Sequence, residues 1–456
     1  MLDEQIQQYL KDNTTTIVED IRSLVKIPSI TGTKEAVEAM EEALKLSRKF
    51  GFKTKNHKNI IGIADLPGKT DKQLGFIGHM DVVPPGPGWN LDPFDVTYTD
   101  GYLVGRGVLD DKGANVILLH AINFLLKSGY EFNYSLRYLF GTDEETNTSD
   151  IETYLEDFEE PDIVISPDGD FPICYGEKGL YRCNVISKKI NNKQIIELSA
   201  GDYDNAVAGS AYALVKKDRI YNRQNFKLAH ALNIEVLDNT VKITAKGRSA
   251  HAAEPYDGID SIAVLVKFLI DQNIGSDEEQ QFLSFVSKIA GKPEGSEIGI
   301  QAQDDDLGEL TIVPTKLDYT NNIFTQVLDC RYPTTITSEF IKSQIEKHSP
   351  NGSQVEETGK FEPYLINPNS KLIQKLKEAY EDAMGQPAKL FTIGGYTYAR
   401  YFKQAVSFGP YMEWAPRPAW VGTLHGPDEG ISAKCLQDTF KIYVYMLKYI
   451  NEANLD

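Results

Sequence analysis

Cysteine is scarce in this chain, and its four cysteines, Cys174, Cys183, Cys330 and Cys435, include no Cys-x-x-Cys pair. A disulfide-bonded exported scaffold needs a denser cysteine pattern, so reduced thiols are expected. The N-terminus lacks the basic segment and the apolar run of a signal peptide. Together these absences predict a protein of the cytoplasm.

Long apolar runs and an excess of basic residues are also missing. Charged residues interrupt every apolar segment, so none reaches the length of a membrane span. The formal net charge is -19, and the acidic residues are spread along the chain. Such a surface would be repelled by nucleic acid and by anionic membranes. Neither is therefore expected as a partner.

Several familiar catalytic motifs are absent. A Gly-Lys-Thr sequence ends at Thr70, but five residues separate the glycines before it, where a phosphate-binding loop has four. The segment at 105–110 carries two of the three glycines of a dinucleotide fingerprint, with Asp110 in the third position. The chain has neither a Gly-x-Ser-x-Gly elbow nor a His-Glu-x-x-His helix, which disfavours a serine hydrolase and a zincin.

The order of apolar segments predicts an α/β fold interrupted by a second domain. With 456 residues, 41% of them hydrophobic, the chain is long enough for two or three domains. Helices and short apolar strands alternate up to about residue 181 and again from about residue 365. Between them, short β-like stretches mix with predicted helices at 205–215 and 261–270. We therefore expect a catalytic domain at 1–181 and 365–456 with a central mixed sheet, and an inserted α+β lid domain at 182–364.

Polar residues suited to catalysis stand at the ends of the predicted strands. His79 and Asp81 follow a strand at 74–77, and residues two apart in an extended chain project to the same side. A carboxylate beside a histidine can orient a metal ligand. A capped turn before Pro84 and Pro85 is the alternative for this pair alone.

Paired carboxylates mark two further segments. Asp110 and Asp111 precede a long apolar helix, where a simple helix N-cap is the alternative. Asp143, Glu144 and Glu145 follow a buried strand. Adjacent carboxylates repel one another, so they need either a nearby cation or full exposure to water.

Two more candidates complete the set. Asp168 follows another predicted strand, where a turn is the alternative, and His425 precedes the last helix. Functional groups of α/β sheets gather at the carboxyl edge, and every candidate stands just after a strand or just before a helix. Oxygen ligands mixed with histidine suit Zn²⁺ or Mn²⁺. Because one ion does not need so many carboxylates, two ions that share a bridging carboxylate are the better interpretation.

The candidate segments form an ordered set of motifs, which are Gly-His-Met-Asp81, Gly-Arg-Gly-x-x-Asp110-Asp-Lys-Gly, Asp-Glu-Glu145, Pro-Asp168-Gly, Gly-Arg-Ser-Ala-His251 and His425-Gly-Pro-Asp-Glu. This set resembles the metallopeptidase family of carboxypeptidase G, succinyl-diaminopimelate desuccinylase, aminoacylase and carnosinase. The resemblance runs from about Ile21 to the C-terminus. The segment from Asp168 to Gly179 and the long insert look most like bacterial dipeptidases of the peptidase V type.

The resemblance implies a metal centre with two divalent ions, zinc being expected and manganese the alternative. It assigns His79 and Asp168 to one metal ion. Glu145 and His425 would bind the other, and Asp110 would bridge the two. The family also implies a cis peptide bond after the bridging aspartate.

Catalytic roles follow from the same resemblance. Asp81 would orient His79 or the metal site, and Glu144 would be the general base for a water held between the two metal ions. His251, in the inserted domain, would donate to the developing oxyanion.

The resemblance also suggests how the substrate is held. Arg331 has the fork geometry that suits a substrate carboxylate. Asn205 would add an amide donor, and Gly394 and Gly395 would let backbone amides approach the same carboxylate. The family pattern fails at two positions, because Tyr396 replaces a third glycine and Ala208 replaces a proline.

The resulting expectation is a dipeptidase that hydrolyses the peptide bond of small peptides. The alternatives are an N-acyl amino acid deacylase or desuccinylase of the same family, and a catalytically inactive peptide-binding protein. Because the insert looks longer than in dimeric members of the family, a single chain is expected to complete its own site as a monomer.

Overall fold

A computed structural model of the chain describes residues 2–217 and 226–453. It divides into two compact units. The first comprises Met1–Tyr175, Leu365–Phe391 and Tyr396–Asp456, and the second comprises Gly176–Tyr364 and Thr392–Gly395. Compactness does not show that a segment folds independently, so the domain bounds 1–181, 182–364 and 365–456 stay a prediction.

The amino-terminal part alternates helices with strands as the sequence predicts. Its elements are α1 (Leu2–Val25), α2 (Lys34–Lys49), β1 (Lys53–His57), β2 (Ile61–Leu66), β3 (Gln73–His79), β4 (Thr97–Thr99), β5 (Tyr102–Val104), α3 (Lys112–Lys127), β6 (Ser135–Gly141), α4 (Ser149–Asp157), β7 (Ile163–Ser166) and β8 (Ile173–Glu177).

The middle part is rich in strands. Its elements are β9 (Gly179–Ile186), β10 (Ile195–Ala200), β11 (Ser210–Lys216), β12 (Leu232–Val236), β13 (Thr240–Lys246), α5 (Ser261–Asp271), α6 (Asp277–Ile289), β14 (Gln303–Asp304), β15 (Gly308–Glu309), β16 (Thr311–Thr320), β17 (Ile323–Tyr332), α7 (Ser338–His348) and β18 (Gln354–Phe361).

The carboxyl-terminal part returns to α/β character. Its elements are β19 (Tyr364–Leu365), α8 (Lys371–Met384), β20 (Leu390–Ile393), β21 (Ala405–Ser407), β22 (Gly430–Ser432) and α9 (Ala433–Glu452). Each of these two helices follows an N-cap serine whose hydroxyl accepts a backbone N–H, Ser370 before α8 and Ser432 before α9. Such N-caps satisfy donors that a helix leaves unpaired at its first turn.

The first unit is built on a mixed sheet with strand order β1-β2-β6-β3-β7-β21-β8. The central strands β6, β3, β7 and β21 run parallel, whereas β1, β2 and β8 pair antiparallel to their neighbours. Strand β3 is almost wholly buried, as expected for a parallel strand covered on both faces. Helix α3 is buried from Lys112 to Leu125. A helix without a polar face belongs inside a core, and α3 contacts β3, α1 and α9.

The second unit has an antiparallel sheet with strand order β12-β13-β11-β10-β16-β17-β9-β18. Helices α5, α6 and α7 contribute apolar side chains such as Leu265, Phe282 and Ile341 to the core of this sheet. The predicted fold class, an α/β peptidase domain with a central mixed sheet interrupted by an α+β domain, is confirmed.

One predicted element is wrong. The helix expected at 205–215 is replaced by a loop and the strand β11. Alanine-rich sequence favours a helix locally. Here Ala211, Ala213 and Val215 alternate with more exposed residues, and this period of two packs one face of β11 into the core. Packing therefore overrode local propensity.

Across residues 2–217 and 226–453, we find no helix that combines the length and the apolar character needed to cross a bilayer.

Candidate metal centre

Three neighbouring parallel strands deliver candidate residues to one edge of the central sheet. Strand β3 ends at His79, β6 ends just before Glu144 and Glu145, and β7 ends just before Asp168. These strands are adjacent in the order β6-β3-β7 and point the same way. Their carboxyl ends therefore meet, as the sequence analysis expected.

Asp110 lies between the two candidate histidines. Its Oδ1 is 2.9 Å from His79 Nε2, and its Oδ2 is 3.0 Å from His425 Nε2. Each carboxylate oxygen thus faces a different imidazole, which is the arrangement a bridging ligand requires. The peptide bond between Asp110 and Asp111 is cis, which confirms the expectation from the resemblance.

The remaining candidates complete two overlapping groups of donor atoms. His425 Nε2 is 3.1 Å from Glu145 Oε2, and His79 Nε2 is 3.9 Å from Asp168 Oδ2. Donor atoms of His79, Asp110 and Glu145 lie within 4.8 Å of one another. So do donor atoms of His79, Glu144 and Asp168. The structure therefore brings together all five predicted ligands and Glu144.

The charges of this cluster fit two divalent cations. Four carboxylates, from Asp110, Glu144, Glu145 and Asp168, share a small and largely buried volume. Burial raises the pKa of Asp168 to about 7, and burial together with the Asp168 charge raises the pKa of Glu144 well above its usual value. Two divalent cations would supply the four positive charges that keep these groups ionised.

The histidines fit the same interpretation. Burial opposes the charged form of His425, yet hydrogen bonds to Asp110 and Glu145 raise its pKa to about 11. Without metal, the cluster thus holds protons where cations would bind. Oxygen donors combined with imidazole nitrogen suit zinc or manganese, and a coordinated histidine must be neutral.

Asp81 supports the centre through both its carboxylate and its backbone. Its carbonyl oxygen lies 2.9 Å from His79 Nδ1 and can fix the orientation of that ring. Its carboxylate accepts the backbone N–H groups of Glu144 at 3.3 Å and Glu145 at 3.2 Å, and the Thr31 hydroxyl at 2.7 Å. Asp81 therefore contacts the backbone of both glutamates as well as the histidine.

A buried carboxylate that was not predicted from the sequence supports the loop that carries Glu144. Asp150 Oδ2 accepts the backbone N–H groups of Thr142 at 2.6 Å and Asp143 at 2.9 Å, and the Tyr398 hydroxyl at 2.5 Å. Burial raises the pKa of Asp150 to about 6. Asp150 is the second residue of α4, and its polar sequence context carries no signal beyond an ordinary helix start.

A second missed feature is a buried ion pair between Arg106 and Glu429. Both residues fall inside motifs that the sequence analysis singled out, but those motifs gave them no role. A charged residue between two glycines, four residues before the paired aspartates, was the signal that could have identified Arg106.

The other predicted residues belong to the second unit, where several lie together. His251 pairs with Ala206 in an antiparallel bridge, and the Ala252 N–H donates to the Asn205 carbonyl at 2.8 Å. The side chains of His251 and Asn205 are exposed. The structure thus joins the His251 loop to the Asn205 loop through their backbones.

Arg331 is buried and firmly held. Its Nε and Nη2 donate to the two carboxylate oxygens of Asp329 at 2.7 and 3.1 Å, and its Nη1 donates to the Gly394 carbonyl at 2.8 Å. A side chain on Gly394 would collide with Ala253, whose Cβ would be 2.3 Å away, whereas Gly395 has only Ile393 nearby, at 3.8 Å. Gly394 is therefore required for packing against the loop that follows His251.

Comparison with known proteins identifies relatives over most of the chain. The profile of peptidase family M20/M25/M40 matches residues 75–449. A Beta-Ala-Xaa dipeptidase from Lactobacillus delbrueckii subsp. lactis is 31% identical over 441 residues, which cover 91% of this chain and 93% of the relative.

Solved structures share the fold at low sequence identity. Human carnosine dipeptidase 1 superimposes with a TM-score of 0.61 at 16% identity, over 99% of this chain and 100% of that one. An aminoacylhistidine dipeptidase from Vibrio alginolyticus has a TM-score of 0.58 at 15% identity, over 94% and 95% of the two chains.

Proposed function

Since the chain belongs to peptidase family M20/M25/M40, a family of metal-dependent hydrolases, we propose that it is a dipeptidase with two zinc ions in its active site. The observation that carries this proposal is the convergence of His79 and His425 on opposite oxygens of Asp110. The name of the Lactobacillus relative supports a dipeptide as substrate. Manganese is the alternative metal.

The proposed ligands divide into two sets. His79 and Asp168 would hold one ion, Glu145 and His425 would hold the other, and Asp110 would serve as a ligand of both. When bound, the two ions supply Lewis-acid chemistry that lowers the pKa of a water and polarises the scissile carbonyl.

Glu144 is the proposed general base. Its carboxylate takes a proton from the attacking water and passes it to the amine of the leaving amino acid. Two observations support this role, since its carboxyl group lies in the cluster with His79 and Asp168 and its backbone is held by Asp81. In this scheme Asp81 keeps His79 and the Glu144 backbone in place.

Residues of the second unit are proposed to bind the substrate. The His251 imidazole donates a hydrogen bond to the carbonyl oxygen as it becomes an oxyanion. Arg331, Asn205 and the backbone at Gly394 and Gly395 bind the terminal carboxylate. Exposure of the His251 side chain and the backbone link between its loop and Asn205 support this grouping.

We also propose that the enzyme is a cytoplasmic monomer. All four cysteines lie in the described part of the chain, where they are buried and none is disulfide-bonded, which supports a reducing compartment. The monomeric state is inferred from the length of the inserted domain, and light scattering of the purified protein tests it.

The experiment is a metal analysis paired with a substrate panel. Purified protein is expected to carry two divalent ions, to lose activity in chelator and to recover it with Zn²⁺ or Mn²⁺. It should cleave Ala-Ala and β-Ala-Ala much faster than acetyl-alanine or succinyl-alanine, which have no free amine. Faster cleavage of the acylated substrates would make it a deacylase. Protein that binds no divalent ion would contradict the metal centre and favour a peptide-binding role.

His79→Ala tests the ligand assignment, and His57→Ala is its matched control. His57 lies in the same unit, and its Nε2 is 2.7 Å from Asp157 Oδ2. Asp157 is not one of the proposed metal ligands. The first variant should lose metal and activity, and the control should keep both.

A further inference from the structure

A buried ion pair underlies the loops that carry two of the proposed ligands. Arg106 Nη1 donates to Glu429 Oε2 at 2.5 Å, and both side chains are almost completely buried. Arg106 lies four residues before Asp110, and Glu429 lies four residues after His425. Neither residue belongs to the donor groups of the metal centre.

Glu429 holds the backbone that leads into the bridging ligand. Its Oε1 accepts the N–H groups of Gly107 and Leu109 at 3.0 Å each and of Asp110 at 3.2 Å. Its own carbonyl accepts the Gly105 N–H at 2.9 Å. One carboxylate therefore fixes the Asp110 segment at three backbone donors, and Glu429 anchors the start of the same loop.

Arg106 holds the other ligand. Its Nη2 donates to the His425 carbonyl at 3.0 Å, and its guanidinium lies over the Trp89 ring, 5.3 Å from the centroid. His425 needs such support, because its side chain is 54% exposed and its backbone has a φ of +61°. Non-glycine residues in this left-handed region persist when the surroundings hold them there.

Stability alone explains the pair poorly. Removing two charges from water is costly, and apolar residues of similar volume often stabilise a fold as well or better. An apolar pair could fill this space, but it could not accept three backbone N–H groups on one side and donate to the His425 carbonyl on the other. The chemistry of the pair therefore matches the loops that it contacts.

We propose that Arg106 and Glu429 are positioning residues for the metal centre, with Glu429 fixing the bridging Asp110 and Arg106 fixing His425. This inference rests on the proposed function. It implies that the two residues contribute unequally, since Asp110 serves both metal ions and His425 serves one.

Two conservative variants separate these contributions. In Arg106→Lys the charge that pairs with Glu429 is kept, but a single ammonium cannot reproduce the fork that also reaches the His425 carbonyl. In Glu429→Gln the side-chain shape is kept, but an amide cannot accept on both sides. The amide NH₂ is a donor, and it has to face either the three backbone N–H groups or the guanidinium of Arg106, which are donors as well.

The measured quantity is the affinity for each metal equivalent, obtained from Co²⁺ absorption and from competition for Zn²⁺ with a chelator. Urea unfolding of the same variants measures their stability. In Arg106→Lys the affinity for one equivalent should fall by about 10–100-fold while the other stays near the wild-type value. In Glu429→Gln both equivalents should weaken by about that factor. Added metal should raise the kcat of each variant by a larger factor than it changes the KM.

Arg137→Lys is the matched control. Arg137 forms a comparable fork with Asp65, at 2.7 and 3.0 Å, between β6 and β2 in the same unit. Its metal affinities should equal those of the wild type.

Two equivalents bound with wild-type affinity in both site variants would overturn the inference and leave the proposed function intact. Equal losses in the control would also overturn it, since general destabilisation would then be the cause. A wild-type protein that binds fewer than two ions would contradict the proposed function instead.

Discussion

Replacing Glu144 and Glu145 one at a time by glutamine separates the proposed general base from a proposed metal ligand. The two residues are neighbours, and Asp81 accepts the backbone N–H of each. Glu145 Oε2 lies 3.1 Å from His425 Nε2, whereas Glu144 groups with His79 and Asp168. The two substitutions therefore make the same change of charge on similarly supported backbones, and each serves as the control of the other.

The expected outcomes differ in kind. Glu144→Gln should keep both metal ions, because the amide is nearly isosteric, but the amide cannot act as the base. Loss of a general base lowers kcat by about 10²–10⁴-fold, which corresponds to about 2.7–5.4 kcal/mol in the activation barrier. Glu145→Gln removes the charge of a proposed ligand, so one equivalent of metal should dissociate on dialysis.

Metal content after dialysis and kcat at saturating Ala-Ala, both with and without added Zn²⁺, check the pair. Excess metal should restore much of the activity of Glu145→Gln and none of the activity of Glu144→Gln. A kcat within tenfold of the wild type in Glu144→Gln would refute the base assignment. Metal loss from Glu144→Gln with retention in Glu145→Gln would show that the two roles are reversed.

Four further outcomes are expected. Metal affinity should rise by about tenfold per pH unit for each proton released on binding. The reason is that the neighbouring carboxylates raise the pKa of metal-free His425 to about 11, whereas metal binding requires the neutral imidazole. Calorimetric titrations at pH 6 and pH 8 would measure this rise in affinity. His251→Ala should lower kcat and kcat/KM together, by about 10²–10³-fold, and an unchanged kcat would contradict a role for this residue at the oxyanion. Arg331→Ala should raise KM for Ala-Ala more than for its amide, and equal effects on both substrates would contradict carboxylate binding. Tyr398→Phe removes a hydrogen bond to buried Asp150 and should lower the free energy of unfolding by about 1–3 kcal/mol, measured from urea curves, and no change would show that the bond is dispensable.

The sequence predicted most elements of the first unit because their signals are local. Helix α8 shows the helical spacing of apolar residues, and the strands β3, β6 and β7 are apolar runs long enough to recognise. The order of parallel strands then brought His79, Glu145 and Asp168 to one edge, as expected. The family resemblance is confirmed by the profile match and by the Lactobacillus relative.

Local signals failed where packing between strands decided the structure. The segment at 205–215 is rich in alanine, and nothing within it shows that β10 and β13 will flank it on either side. A strand is stabilised by packing and pairing with neighbouring strands, and those strands lie elsewhere in the chain.

Residue chemistry and position after a strand were enough to predict which residues could form the metal centre. The contacts that support those ligands could not be predicted in this way, because they depend on how the chain folds. Arg106 and Glu429 are 323 positions apart. A salt bridge of this kind leaves no periodic pattern in either segment, since it depends on where two distant loops meet. Arg331 shows the same dependence in its bond to the Gly394 carbonyl, which is 63 positions away. Its other partner, Asp329, lies two residues before it on β17 and therefore on the same face of the strand.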